Sequence, residues 1–188
     1  MRQAARARVS AVVLGCVMLG CVALGLTAGV CEAPAPSSTT SGLGLPAVQP
    51  ADFVFLAAFG PYGRNVIDTF AGTFTKDIIS QTKPNPTAEL RLTAEELATL
   101  YQDLRAMHIL DFPGDLDPGN TRITASTPTT YRLELRAGEI EKTIFWGHGD
   151  FPATQQAQAL HEWFEKLRQM IESKPEYQRM PPLEGGYA

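Results

Sequence analysis

The amino-acid sequence predicts an α+β domain: an antiparallel sheet of about five strands with two amphipathic helices packed on one face. Three observations predict it. Strand-like runs come in pairs joined by Ala71-Gly72 and by Ala137-Gly138. A short link containing Gly between two β-rich runs reads as a hairpin, hence antiparallel pairing. Two further stretches carry apolar residues at helical spacing, and the order strands, helix, strand pair, helix leaves each apolar stripe in need of a sheet face to cover.

The chain opens with a segment that stands apart from this domain. Arg2, Arg6 and Arg8 precede an uncharged run of 23 residues, Val9 to Cys31. A basic start followed by an apolar stretch is the pattern of an export signal, and the three Arg hold that end in the cytoplasm. Residues 1–35 are therefore expected to act as a signal, a lipoprotein signal or a membrane anchor, with everything beyond them on the outer face of the cytoplasmic membrane, in the periplasm or in the cell envelope. Three fates stay open. Met18-Leu19-Gly20-Cys21 and Ala28-Gly29-Val30-Cys31 are similar to lipoprotein signals, which makes Cys21 and Cys31 the candidate lipidation sites; Val13-Leu14-Gly15-Cys16 follows too short an apolar run. Cleavage near Ala28 or Gly29 is the second fate. The third is retention, since 23 apolar residues suffice to cross a bilayer. All three cysteines of the chain lie here, so disulfides, thiol chemistry and Cys-ligated zinc are excluded for the domain. Residues 36–50, rich in Pro, Ser, Thr and Gly, read as a linker. Gly42-Leu43-Gly44 lacks the third Gly and the strand and helix of a dinucleotide loop.

Residues 51–188 hold the single α+β domain. Phe53 to Phe59, ended by Gly60-Pro61, is a compact apolar run expected to be a buried strand. Asn65 to Phe70 and Thr73 to Ile79 form the first hairpin, Lys83-Pro84-Asn85-Pro86 breaks the chain, and Glu89 to Leu92 is a short strand. Thr93-Ala94-Glu95-Glu96 is a capping box, followed by Leu97, Leu100, Tyr101, Leu104 and Met107 on one helical face; this helix is expected to end near Ile109. A long loop spans Asp111 to Thr130. Tyr131 to Arg136, in which Tyr131, Leu133 and Leu135 alternate, and Glu139 to Trp146 form the second hairpin. A turn follows at Gly147 to Pro152. The second helix covers Thr154 to Ser173, with Ala157, Leu160, Phe164, Leu167 and Ile171 as its buried stripe, Trp163 and Met170 on the flank, and Pro175 as its stop. The tail through Pro181-Pro182 and Gly185-Gly186-Tyr187 reads as irregular.

Composition narrows the function. Net charge is −4; with the three Arg of the first 20 residues set aside, residues 21–188 stand at −7. Such a domain is poorly suited to nucleic acid, whose phosphates need Lys and Arg. There is neither a P-loop nor a G-x-S-x-G. His161-Glu162-Trp163-Phe164-Glu165 is a broken H-E-x-x-H, with Glu165 where the second His belongs; two ligands do not make a zinc site, and His161, Glu165, Arg168 and Glu172 instead fit a solvated helix face with ion pairs. His148 and Asp150, in a Gly-rich turn at a strand end, can serve as an acid/base or ligand pair or simply punctuate the chain. His108 suits the last turn of a helix, where the dipole favours it; a catalytic role would need a partner such as Asp111. Asp115, Asp117 and Asn120 miss the spacing of an EF-hand loop, because Pro118 interrupts it and Ser126 holds the twelfth position. No cofactor is expected.

Asn65-Val-Ile-Asp68-Thr-Phe70-Ala-Gly72-Thr-Phe-Thr75-Lys76-Asp77, then Leu92-Thr-Ala-Glu-Glu96-Leu, and then Ile171-Glu-Ser-Lys-Pro-Glu-Tyr177 with Met180-Pro181 and Gly185-Gly186-Tyr187, together resemble an uncharacterised family of small exported bacterial proteins, many of them lipoproteins. The resemblance implies export and no particular activity. It draws attention to Asp68, Thr75, Lys76 and Asp77, whose polar groups bracket one hairpin; Asp68 and Lys76 join His148 and Asp150 as candidate binding residues. The leading expectation is a membrane-tethered, non-enzymatic binding module of the cell envelope, whose partner is an envelope protein or a small ligand. The alternative is a metal-dependent or acid/base enzyme using His148 and Asp150. A third option is an inhibitor-like domain acting through the loop at 111–130.

Overall fold

The computed structural model describes residues 44–116, 128–148 and 154–187. Residues 1–35, where an export signal or anchor is expected, Asp117 and Asn120, Asp150 and the side chain of His148 lie outside the described residues. Ten elements follow one another: β1 (Val54–Phe59), β2 (Asn65–Asp68), β3 (Thr73–Thr75), β4 (Thr87–Glu89), α1 (Ala94–Ala106), a 3-10 turn (Ile109–Asp111), β5 (Thr129–Ala137), β6 (Ile140–His148), α2 (Gln155–Glu172) and α3 (Pro175–Gln178). The strands form one antiparallel sheet in the order β4-β3-β2-β1-β5-β6.

The α+β class holds, and the sheet has six strands rather than five. Several boundaries moved. The fourth strand is Thr87–Glu89, pairing with β3, where Glu89 to Leu92 was expected. The strand expected to run from Thr73 to Ile79 pairs only as far as Thr75. The ladder of β6 continues through Gly147 to His148 opposite Thr129, so these two residues belong to the strand and not to the expected turn, whose remaining residues lie outside the described ones. Pro175 does not simply end a helix. Its ring occupies the first turn of α3, where a missing N–H and a fixed φ are harmless.

The two hairpins turn differently from the Ala-Gly reading. The β5–β6 link is Gly138-Glu139, since Ala137 still faces Ile140, and Gly138 takes a left-handed φ of 63°. The β2–β3 link is four residues long, Thr69 to Gly72. Asp68 organises it: its Oδ1 accepts the N–H groups of Phe70 and Ala71, both at 2.9 Å.

Alternation along the strands sends one row inward. Phe55, Ala57 and Phe59 of β1 and Tyr131, Leu133, Leu135 and Ala137 of β5 are buried. Both helices meet that row, with Phe53 against Tyr101 of α1 at 4.9 Å and Phe55 against Trp163 of α2 at 5.4 Å. The capping box at Thr93 and Glu96 forms as its spacing predicts. Trp163 does not sit on a flank but is buried, its Nε1 donating to the Leu100 carbonyl at 3.1 Å. Lys166–Asp103 at 2.6 Å further joins the two helices, and Lys174, in the link from α2 to α3, pairs with Glu96 of α1 at 2.7 Å. Burial alone would push the Glu96 carboxyl up, but hydrogen bonds from Lys174 and Thr93 outweigh it and hold the group below its ordinary range. The packing reaches back into the stretch read as linker: Leu45 is buried, and the Pro46 carbonyl accepts the Tyr101 hydroxyl at 2.8 Å.

Candidate functional site

The inward alternation breaks at one place. In Phe74-Thr75-Lys76-Asp77-Ile78, period two puts Phe74, Lys76 and Ile78 on the same side. Phe74 and Ile78 are core residues, and Lys76 is buried with them at 8 % exposure. Tyr177 of α3 lies above both Phe74 and Lys76. Its ring is 5.7 Å from the Phe74 ring and 4.5 Å from Lys76 Nζ. The ammonium makes a cation–π contact there, and no carboxylate or carbonyl approaches it among the described residues. Lysine is almost never this buried without a partner.

Asp77, only 4 % exposed, is the other charged residue in the core among the described residues, and it is fully engaged. Its N–H donates to Asn65 Oδ1 at 3.0 Å, its Oδ1 accepts the Ile79 N–H at 3.0 Å, and its Oδ2 accepts the Tyr187 hydroxyl. The Asp77–Ile79 bond closes a turn in which Ile79 takes φ 55°. A β-branched residue in the left-handed region is strained by roughly 1–3 kcal/mol, so the surrounding contacts must hold it there. The tail supplies some of them. Glu184 N–H donates to the Ile78 carbonyl at 2.8 Å and Lys83 pairs with the Glu184 side chain at 2.6 Å. At Gly185 a Cβ would lie 3.0 Å from the Ile79 carbonyl oxygen.

Between this strand exit, α2, α3 and the tail lies a cleft of about 360 Å³, within the size range of small-molecule sites. Phe59, Tyr131, Phe164 and Ile171 form its apolar wall, and Tyr177, Leu183 and Tyr187 frame it. Glu165 and Glu172 also line it, and both are held by Arg168, at 2.6 and 3.0 Å. Those two carboxylates raise the guanidinium's pKa further above its already high value. The three tyrosines stay neutral phenols through the physiological range. Burial pushes Tyr131 and Tyr177 up, with the charges of Glu165 and Glu172 adding to it. Burial, the bond to Asp77 and the Asp77 charge push Tyr187 up to about 12, against a smaller opposing effect of Arg64. They can donate hydrogen bonds and stack, but they do not supply a base.

The other candidate residues go elsewhere. Asp68 shapes the β2–β3 turn and lines a hollow of the opposite side with Phe70 and Arg136, so it does not meet Lys76. His148 ends β6; its side chain and Asp150 lie outside the described residues. His108 takes a left-handed φ of 55° and accepts, through its backbone carbonyl, the N–H of Asp111 at 2.9 Å. His161 departs from the expected solvated face: it packs edge-on against Tyr131 and Trp146, with Nδ1 3.2 Å from the Tyr131 hydroxyl. Asp115 bridges to Phe145 beside β6. Among the described residues no three His, Cys, Asp or Glu are placed to hold a metal ion, and no helix is long and apolar enough to cross a membrane.

Sequence reasoning singled out Lys76 and Asp77 as polar hairpin residues but missed their burial. A lysine two positions after an inward phenylalanine was the available signal. Asn65, Lys76 and Asp77 thus meet Ile171, Glu172, Tyr177 and Tyr187, about a hundred residues further along the chain, in this one cleft.

No family model, no curated protein and no solved structure matches the chain.

Proposed function

We propose that the chain is an exported, membrane-tethered binding module of the cell envelope, non-enzymatic, and that the cleft around Lys76 is where it binds. The observation that carries this reading is a buried ammonium that lines an aromatic cleft and has no hydrogen-bond partner among the described residues. Leaving a buried charge unpaired destabilises a fold, and such a group makes sense where a ligand completes it. The titratable neighbours support binding rather than proton transfer, because Asp77, Glu165 and Glu172 are each locked onto a donor. Arg2, Arg6 and Arg8 ahead of the uncharged run support the tether, with Cys21 or Cys31 as the lipid attachment point.

The test uses the full chain in the cells that make it, with a photo-crosslinking residue at Leu183 on the cleft rim or at Phe145 on exposed β6. An adduct formed from Leu183 and not from Phe145 is expected. Equal labelling from both positions, or none from Leu183, overturns the cleft as the binding site. Labelling with an alkyne fatty acid is expected to fail in Cys21→Ala or in Cys31→Ala; labelling of neither parent nor variants removes the lipid anchor.

A further inference from the structure

We infer that the cleft takes a monoanionic carboxylate carried on an apolar or aromatic body, with Lys76 Nζ as the group that recognises the carboxylate. This rests on the cleft being a binding site and adds the chemistry of its ligand.

Three features of the cleft define that chemistry. The first is the missing acceptor. Lys76 Nζ has three donors and, among the described residues, only the face of Tyr177 to satisfy them. The second is the charge around it. Three carboxylates, Asp77, Glu165 and Glu172, line the cleft against two cations, Lys76 and Arg168. Arg168 already serves both glutamates, and Asp77 is taken by Tyr187 and the Ile79 N–H. One negative charge on the ligand matches Lys76, the cation of this cleft that no carboxylate holds among the described residues. A second charge, as on a phosphate, would face the three carboxylates without a partner, at a cost that grows in a site of low dielectric. The third is the wall. Phe59, Tyr131, Phe164, Ile171 and Tyr177 present rings and an aliphatic branch to whatever carries the carboxylate, so an apolar body gains from burial there. The tail bears on access: Leu183 and Tyr187 lie at the rim, anchored through the strained turn at Ile79.

The test uses the full-length chain in lipid nanodiscs and ligand-observed NMR with three probes of one shape: phenylbutyrate, its neutral amide and phenylpropylphosphonate. The carboxylate is expected to bind at least about tenfold more tightly than the amide, the size expected for one hydrogen bond to a buried charged group. In mildly alkaline buffer, above the second ionisation of the phosphonate, it is also expected to bind more tightly than the phosphonate dianion. Lys76→Met, of similar length and volume, is expected to erase the difference between carboxylate and amide, and Lys76→Arg to keep part of it. Circular dichroism of each variant separates lost recognition from lost folding. Equal binding of amide and carboxylate, tighter binding of the phosphonate, or a preference that survives Lys76→Met overturns the inference. If no probe binds while the Leu183 adduct forms, the carboxylate assignment falls and the binding reading stands. If neither occurs, both fall.

Discussion

The sheet's inward face has two halves built on opposite principles. Over β1, β5 and β6 the helices seal it with aromatic rings: Trp163 on Phe55, Phe164 on Phe59 and Tyr131, and Tyr131 stacked on Trp146 at 4.6 Å. The buried Trp163 indole N–H there has the Leu100 carbonyl as partner. Over β2 and β3 the cover thins to the short α3 and an irregular tail. There the face carries a buried lysine, a buried aspartate and a strained isoleucine around an open cleft, whose apolar wall of Phe59, Tyr131 and Phe164 is the margin of the sealed half. The first half shows how this fold gains stability, and the second where it gives some up. Polar groups tolerated in a core without full satisfaction are a mark of function more than of folding.

The sharpest way to break the comparison is to mutate one residue from each half. Trp163→Ala empties a buried indole and is expected to lower stability by about 3–5 kcal/mol in denaturant unfolding. Lys76→Met is expected to have the opposite sign, raising stability by about 1 kcal/mol, because it removes an unpaired buried charge while keeping volume. A loss comparable to that at Trp163 would make Lys76 a structural residue. Thr93→Ala removes the acceptor for the Glu96 N–H in the capping box and is expected to cost about 1 kcal/mol by the same measurement.

The pH dependence sharpens the contrast further. Glu96 belongs to the sealed half, and its folded pKa lies below the ordinary 4.5. A depressed carboxylate contributes stability that is present above 4.5 and is lost as pH falls through the folded value. Lys174→Ala is expected to flatten that acid dependence, read from unfolding midpoints on either side of 4.5. Tyr187 belongs to the open half, and its pKa is pushed from 10 up to about 12. Its contribution is therefore full below 10 and is lost as pH rises through about 12. Tyr187→Phe is expected to remove the last-ionising tyrosine from an absorbance titration and to change global stability least of all these variants. An unchanged titration would mean that the tail does not hold Asp77.

The sealed half was largely legible in the sequence. Period two in Tyr131-x-Leu133-x-Leu135 and the capping box at Thr93 are local signals, and local geometry decided those elements. The errors there were also local. The turn is Gly138-Glu139 because Gly138 must supply the positive φ, and Trp163 moved from flank to core because the helix stripe is wider than an i, i+4 row. The open half was hardly legible. Asp68 and Lys76 looked alike as polar residues of one hairpin, yet Asp68 caps a turn on one side and Lys76 lies under Tyr177 on the other.

By itself, then, the sequence determined the α+β class, the antiparallel pairing, the helix start at Thr93 and the inward rows of β5 and α2. Each follows from spacing within a dozen residues, and burial of an apolar stripe is a property of the stripe. Only the tertiary structure decided the six-strand order, the burial of Lys76 and Asp77, and the cleft itself. Those depend on residues brought together from far along the chain, as when Tyr187 donates to Asp77 and Tyr177 covers Lys76. No periodicity encodes such a meeting, because it arises where separate elements close over one another.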